Sequence, residues 1–296
     1  GTYPTRTPVI LGHEIAGEVV AVGTGVSSVK LGDRVTAISS VRVCGKCAYC
    51  LTGEWSLCLD RDAFGTHVDG GLAQYIAVPE RVVRLLPDNV SFDEGVLAEP
   101  LACCVKGTMY LTSIVPGDLV LVSGPGTLGL LCAQLAKLQG AKVILAGVSA
   151  DGYRLTIGRQ LGADYVVNVD KEDLATLVTD LSGGRGLDVV IECSGAAAAV
   201  RTGLQLTRKQ GQYTQMGIPG TSFELDFRQV VMKELRLAGS CATSVRSWTR
   251  SLHLLKEGLV RAQPLISGRL PLDEFERAFS MARSGDGIKV VFHPHG

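Results

Sequence analysis

A chain of 296 residues holds enough material for two hydrophobic cores and too little for three. Hydrophobic residues make up 46% and charged residues 20%, which excludes a disordered chain, and 29 Lys and Arg against 29 Asp and Glu give no electrostatic reason to expect nucleic acid. The apolar runs are broken by Gly, Pro or charge well short of the roughly 20 residues of a membrane span, so a cytoplasmic protein with no membrane partner is expected.

In chain order, the first ninety residues carry short β runs separated by Gly, Pro and Asp: Glu18 to Val22, Arg34 to Ile38, Tyr75 to Val78 and Val82 to Leu85. That texture predicts a small, loop-rich, mainly antiparallel domain over 1–92. Ser91-Phe92-Asp93-Glu94 reads as a capping box that opens a helix running through Ala98 and beyond. From about Asp118 the period changes. Leu119 to Val122, Val143 to Ala146, Tyr165 to Val167 and Val189 to Ile191 read as strands. Helices are predicted over Leu128 to Leu138, Tyr153 to Leu161 and Leu174 to Leu181. Strand and helix alternating at this spacing predict an α/β domain, 93–240, with a doubly wound parallel sheet. The remainder, 241–296, is mixed: helices near Val245 to Lys256 and Asp273 to Arg283, then a strand over Lys289 to Phe292.

Nine cysteines, four of them clustered, do not suggest a disulfide framework. Cys44, Cys47, Cys50 and Cys58 fall within fifteen residues, a spacing that closes a tetrahedron around Zn²⁺ at about 2.3 Å per sulfur. Four protein ligands fill the shell, so such a zinc is structural; disulfides and an iron–sulfur cluster are the alternatives. Cys103, Cys104 and Cys132 read as small buried hydrophobes.

A second set of donors is smaller. His13 and Glu14 stand side by side before a β run, and Glu99 precedes Pro100, where a helix is expected to kink. Catalytic zinc takes three protein ligands and keeps one position open, and His13 with Glu14 or Glu99 supplies two or three of them. His67 is a candidate for the substrate side or a plain loop histidine, and Arg269 reads equally as a site residue or a surface charge.

Gly124-Pro125-Gly126-Thr127-Leu128-Gly129 follows a buried strand and opens a helix. In that setting a GxGxxG run is a dinucleotide fingerprint, with the helix N-terminus turned to the diphosphate. Gly147 occupies the place where an acid would accept the ribose 2′-hydroxyl of NAD. The missing carboxylate, with Ser149 and Arg154 nearby, tilts the reading toward NADP, while Asp151 remains within reach of a ribose. Cys193, Ser194 and Gly195 follow the fourth strand, on the side expected to face the nicotinamide.

Together these motifs, with Asp69-Gly70-Gly71-Leu72-Ala73-Gln74-Tyr75, Glu99-Pro100-Leu101, Val190 to Gly195 and Leu270-Pro271-Leu272, resemble the zinc-containing medium-chain dehydrogenases, most of all the sorbitol (polyol) branch. The resemblance implies a GroES-like domain over 1–92, a Rossmann domain over 93–240, and a return of 241–296 to the first. It implies two zinc ions: one structural on the four cysteines, one catalytic with His13 and Glu14, and with Glu99 as a ligand or as a partner through water. It also implies NAD or NADP as cofactor, and a homodimer or homotetramer. The family carries a catalytic-zinc cysteine upstream of Gly-His-Glu, and none of the twelve residues before His13 is Cys. The match begins in mid-domain, so the expectation is a chain that starts downstream of its true N-terminus, with exposed sheet edges and low solubility.

The implied reaction is hydride transfer from a secondary alcohol or polyol to NAD(P). An L-threonine dehydrogenase is the alternative, with Lys106 as carboxylate partner; Lys106 also replaces a histidine that polyol and threonine enzymes often carry. A nucleotide-binding protein without catalysis is the third reading.

Overall fold

The computed structural model describes residues 5–285 and 287–294. Two compact units emerge. The first takes in the described residues to Ala102, Ala242–Arg283 and those from Lys289 onward; the second is Cys103–Cys241 with Ser284–Ile288.

The first unit opens on strand β1 (Ala16–Glu18), antiparallel to β2 (Arg34–Ala37) with Ala16 opposite Thr36. β3 (Ser40–Arg42) and β4 (Asp62–Ala63) pair antiparallel as the base of the cysteine lobe, in which α1 (Ala48–Leu51) forms one short turn. β5 (Val83–Leu85) closes on the other side of β2, giving the order β1-β2-β5. Ala37, Ile38 and Val82 are buried behind this sheet. The expected run Glu18 to Val22 is a strand only as far as Glu18; Val20 and Val22 lie exposed beyond it. Tyr75 to Val78 forms no strand, and Tyr75 is exposed. Its apolar residues imitate the period of a strand without a ladder to join.

The capping box at Ser91 is present: its hydroxyl accepts the Glu94 N–H, and the Glu94 carboxylate accepts the Ser91 N–H. Such caps stabilise by about 1 kcal/mol. The helix it opens, α2 (Phe92–Gly95), stops after one turn and restarts as α3 (Ala98–Val105). Pro100 therefore sits in a first turn, where its missing N–H costs nothing, rather than kinking one long helix. Lys106–Tyr110 then widens into a π turn. The boundary between the two units falls within α3.

The second unit alternates strictly: β6 (Leu119–Ser123), α4 (Thr127–Leu138), β7 (Lys142–Gly147), α5 (Gly152–Gln160), β8 (Tyr165–Asn168), α6 (Leu174–Ser182), β9 (Leu187–Glu192), α7 (Ala197–Leu206), β10 (Thr207–Gln215), α8 (Arg228–Met232) and β11 (Arg236–Gly239). All six strands are parallel in the order β11-β10-β9-β6-β7-β8. Leu121, Ile144 and Val190 pack with Val178 of α6 and Leu204 of α7, while Leu145 meets α4 and α5 on the opposite face. The order reverses between β6 and β9, and a doubly wound sheet binds its ligand outside the carboxyl ends of the strands at that switch point.

In the C-terminal stretch, α9 (Val245–Lys256) is capped reciprocally by Ser244 and Ser247, and fully buried Trp248 donates its indole N–H to the Thr243 hydroxyl at 3.1 Å. β12 (Ile266–Leu270) lies parallel to β13 (Lys289–Phe292), with α10 (Phe275–Ser284) between them in sequence. Asp93 of α2 joins this stretch: one carboxylate oxygen pairs with the Arg269 guanidinium, the other with His293 Nε2 at 2.7 Å. Burial alone would raise the Asp93 pKa, but the hydrogen bonds from His293 and Arg269 outweigh it and hold the carboxyl below its ordinary value.

A carboxyl depressed in the folded state adds stability above its unfolded pKa of about 3.9, and loses it as pH falls through the folded value. Asp93→Asn should therefore lower the thermal midpoint at pH 7, with the difference from wild type shrinking as pH falls through the folded value, as read by circular dichroism melts across pH.

Candidate active site

Among the described residues, the first unit brings together two clusters of side chains that could hold a metal ion. In the lobe, the sulfur atoms of Cys44, Cys47, Cys50 and Cys58 all lie within 4.8 Å of one another. Backbone orders them: the Cys47 N–H points to the Cys44 sulfur at 3.3 Å, and the Cys44 N–H to the Cys58 sulfur at 3.4 Å. N–H groups of Lys46 and Cys47 hold the Cys44 thiol down to about 6, whereas burial pushes Cys50 up to about 12. None of the nine cysteines is in a disulfide. Four convergent sulfurs with N–H donors behind them fit a tetrahedral zinc.

The second cluster brings His13, Glu14 and Glu99 together, with one ligand atom from each within 4.8 Å of the others. The chain places His13 through a bare backbone contact. Gly70 and Gly71 donate their N–H groups to the Ile10 and Gly12 carbonyls, and a Cβ on Gly70 would sit 2.0 Å from the Gly12 oxygen. Asp69 accepts the Ile10 N–H at 2.8 Å, so the Asp-Gly-Gly run fixes the approach to His13. Desolvation lowers the His13 pKa; Glu14 opposes that, and Lys289 and Arg61 reinforce it. A neutral imidazole is the form that binds metal. Glu14 is ion-paired with Lys289 of β13, and Glu99 is buried in the first turn of α3. One nitrogen and two carboxylates suit zinc with an open position.

His67 is not in this cluster: its Nδ1 accepts the Ala63 N–H at 3.2 Å and meets the Thr66 hydroxyl at 2.9 Å. Arg269 is held by Asp93 and Gln263. Cys104 and Cys132 are core residues, and Lys106 is buried and engaged within the protein.

At the carboxyl ends of the parallel strands, the turn Gly124 to Gly129 passes from β6 to α4. Gly124 has φ +92°, and a Cβ there would lie 2.8 Å from Ser194. A Cβ on Gly129 would fall 1.8 Å from the Gly124 carbonyl oxygen, while Gly126 faces open space at the head of α4. The Thr127 hydroxyl donates to the Ile288 carbonyl at 3.0 Å, and the Leu128 carbonyl accepts the Cys104 thiol. Cys193 donates its N–H to the Ser123 carbonyl at 2.8 Å, which brings Cys193, Ser194 and Gly195 beside the glycine turn. The α4 N-terminus with its open glycine fits the diphosphate of a dinucleotide.

At the end of β7, a Cβ on Gly147 points at the Pro125 ring, 2.8 Å away. Arg154 donates to Asp151 at 3.1 Å and twice to the Gly287 carbonyl, at 3.0 and 2.9 Å. The Ser149 N–H is taken by Asp170 at 2.7 Å, and Asp151 also accepts the Val148 N–H at 3.1 Å. Sequence reasoning passed over Asp170, Lys289 and Glu192. Only the last left a signal, a charge closing the apolar run Val189 to Ile191.

Cys50→Ser is expected to release one zinc per chain, measured by elemental analysis, because three remaining thiolates leave the shell open. Gly129→Ala, which forces a side chain into the Gly124 carbonyl, should weaken NADH binding by at least about ten-fold in a fluorescence titration.

Residues 1–88 match the alcohol dehydrogenase GroES-like domain, and residues 127–257 match the zinc-binding dehydrogenase family. The chain is 40% identical over 295 residues to a sorbitol dehydrogenase of Halalkalibacterium halodurans, covering 99% of this chain and 86% of the relative. It is 36% identical over 296 residues to an L-threonine 3-dehydrogenase of Symbiobacterium thermophilum, covering 98% and 82%. A Sinorhizobium meliloti protein described as a zinc-binding dehydrogenase, solved with NADP bound, superposes with a TM-score of 0.90 at 32% identity, covering 99% of this chain and 85% of that one. With a GroES-like domain of antiparallel strands, a six-stranded Rossmann-type sheet and two zinc-suited donor sets, this chain belongs to the zinc-binding medium-chain dehydrogenases.

Proposed function

We propose that the protein oxidises a secondary hydroxyl of a polyol to a ketone, with NAD as hydride acceptor. The observation that carries this reading is the His13–Glu14–Glu99 cluster in a chain 40% identical to a sorbitol dehydrogenase. When bound, zinc supplies Lewis-acid polarisation of the substrate oxygen, and the nicotinamide supplies the hydride acceptor. The protein's part is to place the groups. His13 offers an imidazole whose pKa is lowered by desolvation, and Lys289 ion-pairs Glu14. Glu99 brings a carboxylate into a dry position, where electrostatic interactions are stronger than in water. The head of α4 seats the diphosphate.

Charge at the end of β7 favours NAD over NADP. Arg154 is committed to Asp151 and the Gly287 carbonyl, and Asp170 stands on the Ser149 N–H. A 2′-phosphate brought here meets two carboxylates, whereas a ribose hydroxyl can donate to one. The threonine reading needs a cation for the substrate carboxylate, and Lys106, its candidate, is buried. A homodimer or homotetramer is proposed across β11, an edge strand beside exposed Phe227, Val231, Met232 and Leu237, since identical edges pair across a two-fold axis.

Purified full-length protein should reduce NAD with sorbitol in a zinc-dependent manner, with kcat/KM for NAD at least about ten-fold above that for NADP. Faster turnover of L-threonine would replace the polyol assignment. Tight NADH binding with zinc only in the lobe and no turnover would leave a nucleotide-binding protein.

A further inference from the structure

Glu192 ends β9 with its side chain wholly enclosed, and none of the roles above uses it. Its carboxylate takes four donors. One oxygen accepts the Ser194 N–H at 2.8 Å and the Ser194 hydroxyl. The other accepts the Gly195 N–H at 2.9 Å and the Gln215 side-chain amide at 2.6 Å. The main-chain carbonyl of the same residue accepts the N–H groups of Met216 and Gly217, both at 2.8 Å. Gln215 extends the network: its amide also donates to the Gly217 carbonyl at 2.7 Å, and its carbonyl accepts the Tyr213 hydroxyl at 2.9 Å. One residue thus gathers the loops leaving two neighbouring strands.

A buried charge is a poor stabiliser for its own sake, because desolvation cancels much of what its partners return. Its position supplies a different rationale. Glu192 sits at the switch point, under a turn that touches the glycine loop: a Cβ on Gly217 would fall 2.2 Å from the Gly195 nitrogen, and one on Gly124 would meet Ser194. Successive N–H groups such as those of Ser194 and Gly195 form a concavity that attracts anions. The protein's own carboxylate fills it. That leaves the head of α4 as the seat for the cofactor diphosphate.

The two halves of a doubly wound sheet each take one mononucleotide. β6 to β8 form the adenosine half, with the ribose at the end of β7, so β9 to β11 serve the nicotinamide. We infer that Glu192 is a positioning residue for the nicotinamide half of the cofactor. Its carboxylate sets the turn Cys193 to Gly195; its carbonyl, with Gln215, sets the turn Met216 to Ile218; together they form one wall. This inference rests on the cofactor reading given above.

Glu192→Gln keeps the shape and destroys the match. Whichever way the new amide turns, its NH₂ group faces donors that needed an acceptor. In the full-length protein, NADH titrated by fluorescence should bind about ten-fold more weakly to Glu192→Gln. AMP, which occupies only the adenosine half, should keep its affinity within about two-fold. Unchanged NADH affinity overturns the inference. So does an equal loss for NADH and AMP with a lowered melting temperature, which assigns Glu192 a purely structural role. Should Glu192→Gln fail to fold, Ser194→Ala at an exposed turn removes one donor; it should cost NADH about three-fold and AMP nothing, and no change in either overturns the inference. Wild-type protein that binds neither NADH nor AMP defeats the cofactor reading and this inference with it. Wild-type binding with unresponsive variants defeats the inference alone.

Discussion

Three stretches of backbone meet at the switch point of the parallel sheet with almost no side chain between them, and the cofactor half of the molecule depends on that contact. Ser123 ends β6, Gly124 turns away with positive φ, and the turn after β9 lies directly against it. Helix α4 can start close to β6 only because Gly129 has no Cβ to strike the Gly124 carbonyl. The same crowding reaches β7, where Pro125 covers the spot a side chain on Gly147 would need. A longer side chain has no room at that position, and the carboxylates near the end of β7 are those of the loop residues Asp151 and Asp170. One packing constraint shapes both the glycine turn and the end of β7.

The first unit solves a different problem. It has little regular structure with which to aim a ligand, so short loops are braced from behind. The Asp69-Gly70-Gly71 run holds the approach to His13, backbone N–H groups orient the lobe thiols, and Lys289 steadies Glu14 from β13. Several of the candidate metal donors are thus oriented by hydrogen bonds or ion pairs from groups behind them, the common pattern of protein metal sites.

How legible each part was in the sequence follows from the same physics. Strands buried on both faces, β6, β7 and β9, are nearly unbroken apolar runs, and the glycine turn between β6 and α4 has only one economical use. The four-cysteine lobe was readable because thiols at that spacing serve few other purposes. β10, by contrast, reads Thr-Arg-Lys-Gln-Gly-Gln-Tyr-Thr-Gln, with a register shift between Thr207 and Gln212. Its polar residues are satisfied by neighbours remote in sequence, such as Gln215 by Glu192, so no local pattern announces it. β11 is a short edge strand, and Tyr75 to Val78 has a strand's composition with no partner strand. The engagement of Arg154 was equally hidden, because its acceptor at Gly287 lies 133 residues away. Motifs carry what is local; three-dimensional pairing decides what they face.

The first unit is discontinuous, and that bears on how the protein is made. The lobe's Ser56 hydroxyl meets the Thr243 carbonyl across 187 residues of chain, and the Gly53 carbonyl caps the start of α9 by accepting the Val245 N–H. At a ribosomal rate of about 5–20 residues per second, the lobe emerges about 10–40 s before its packing partner exists. The second unit, nearly continuous in sequence, can complete its sheet within that interval. Zinc capture by the lobe needs only fifteen consecutive residues and no distant partner. A metal held there would keep the four thiols ordered and out of non-native disulfides during that interval.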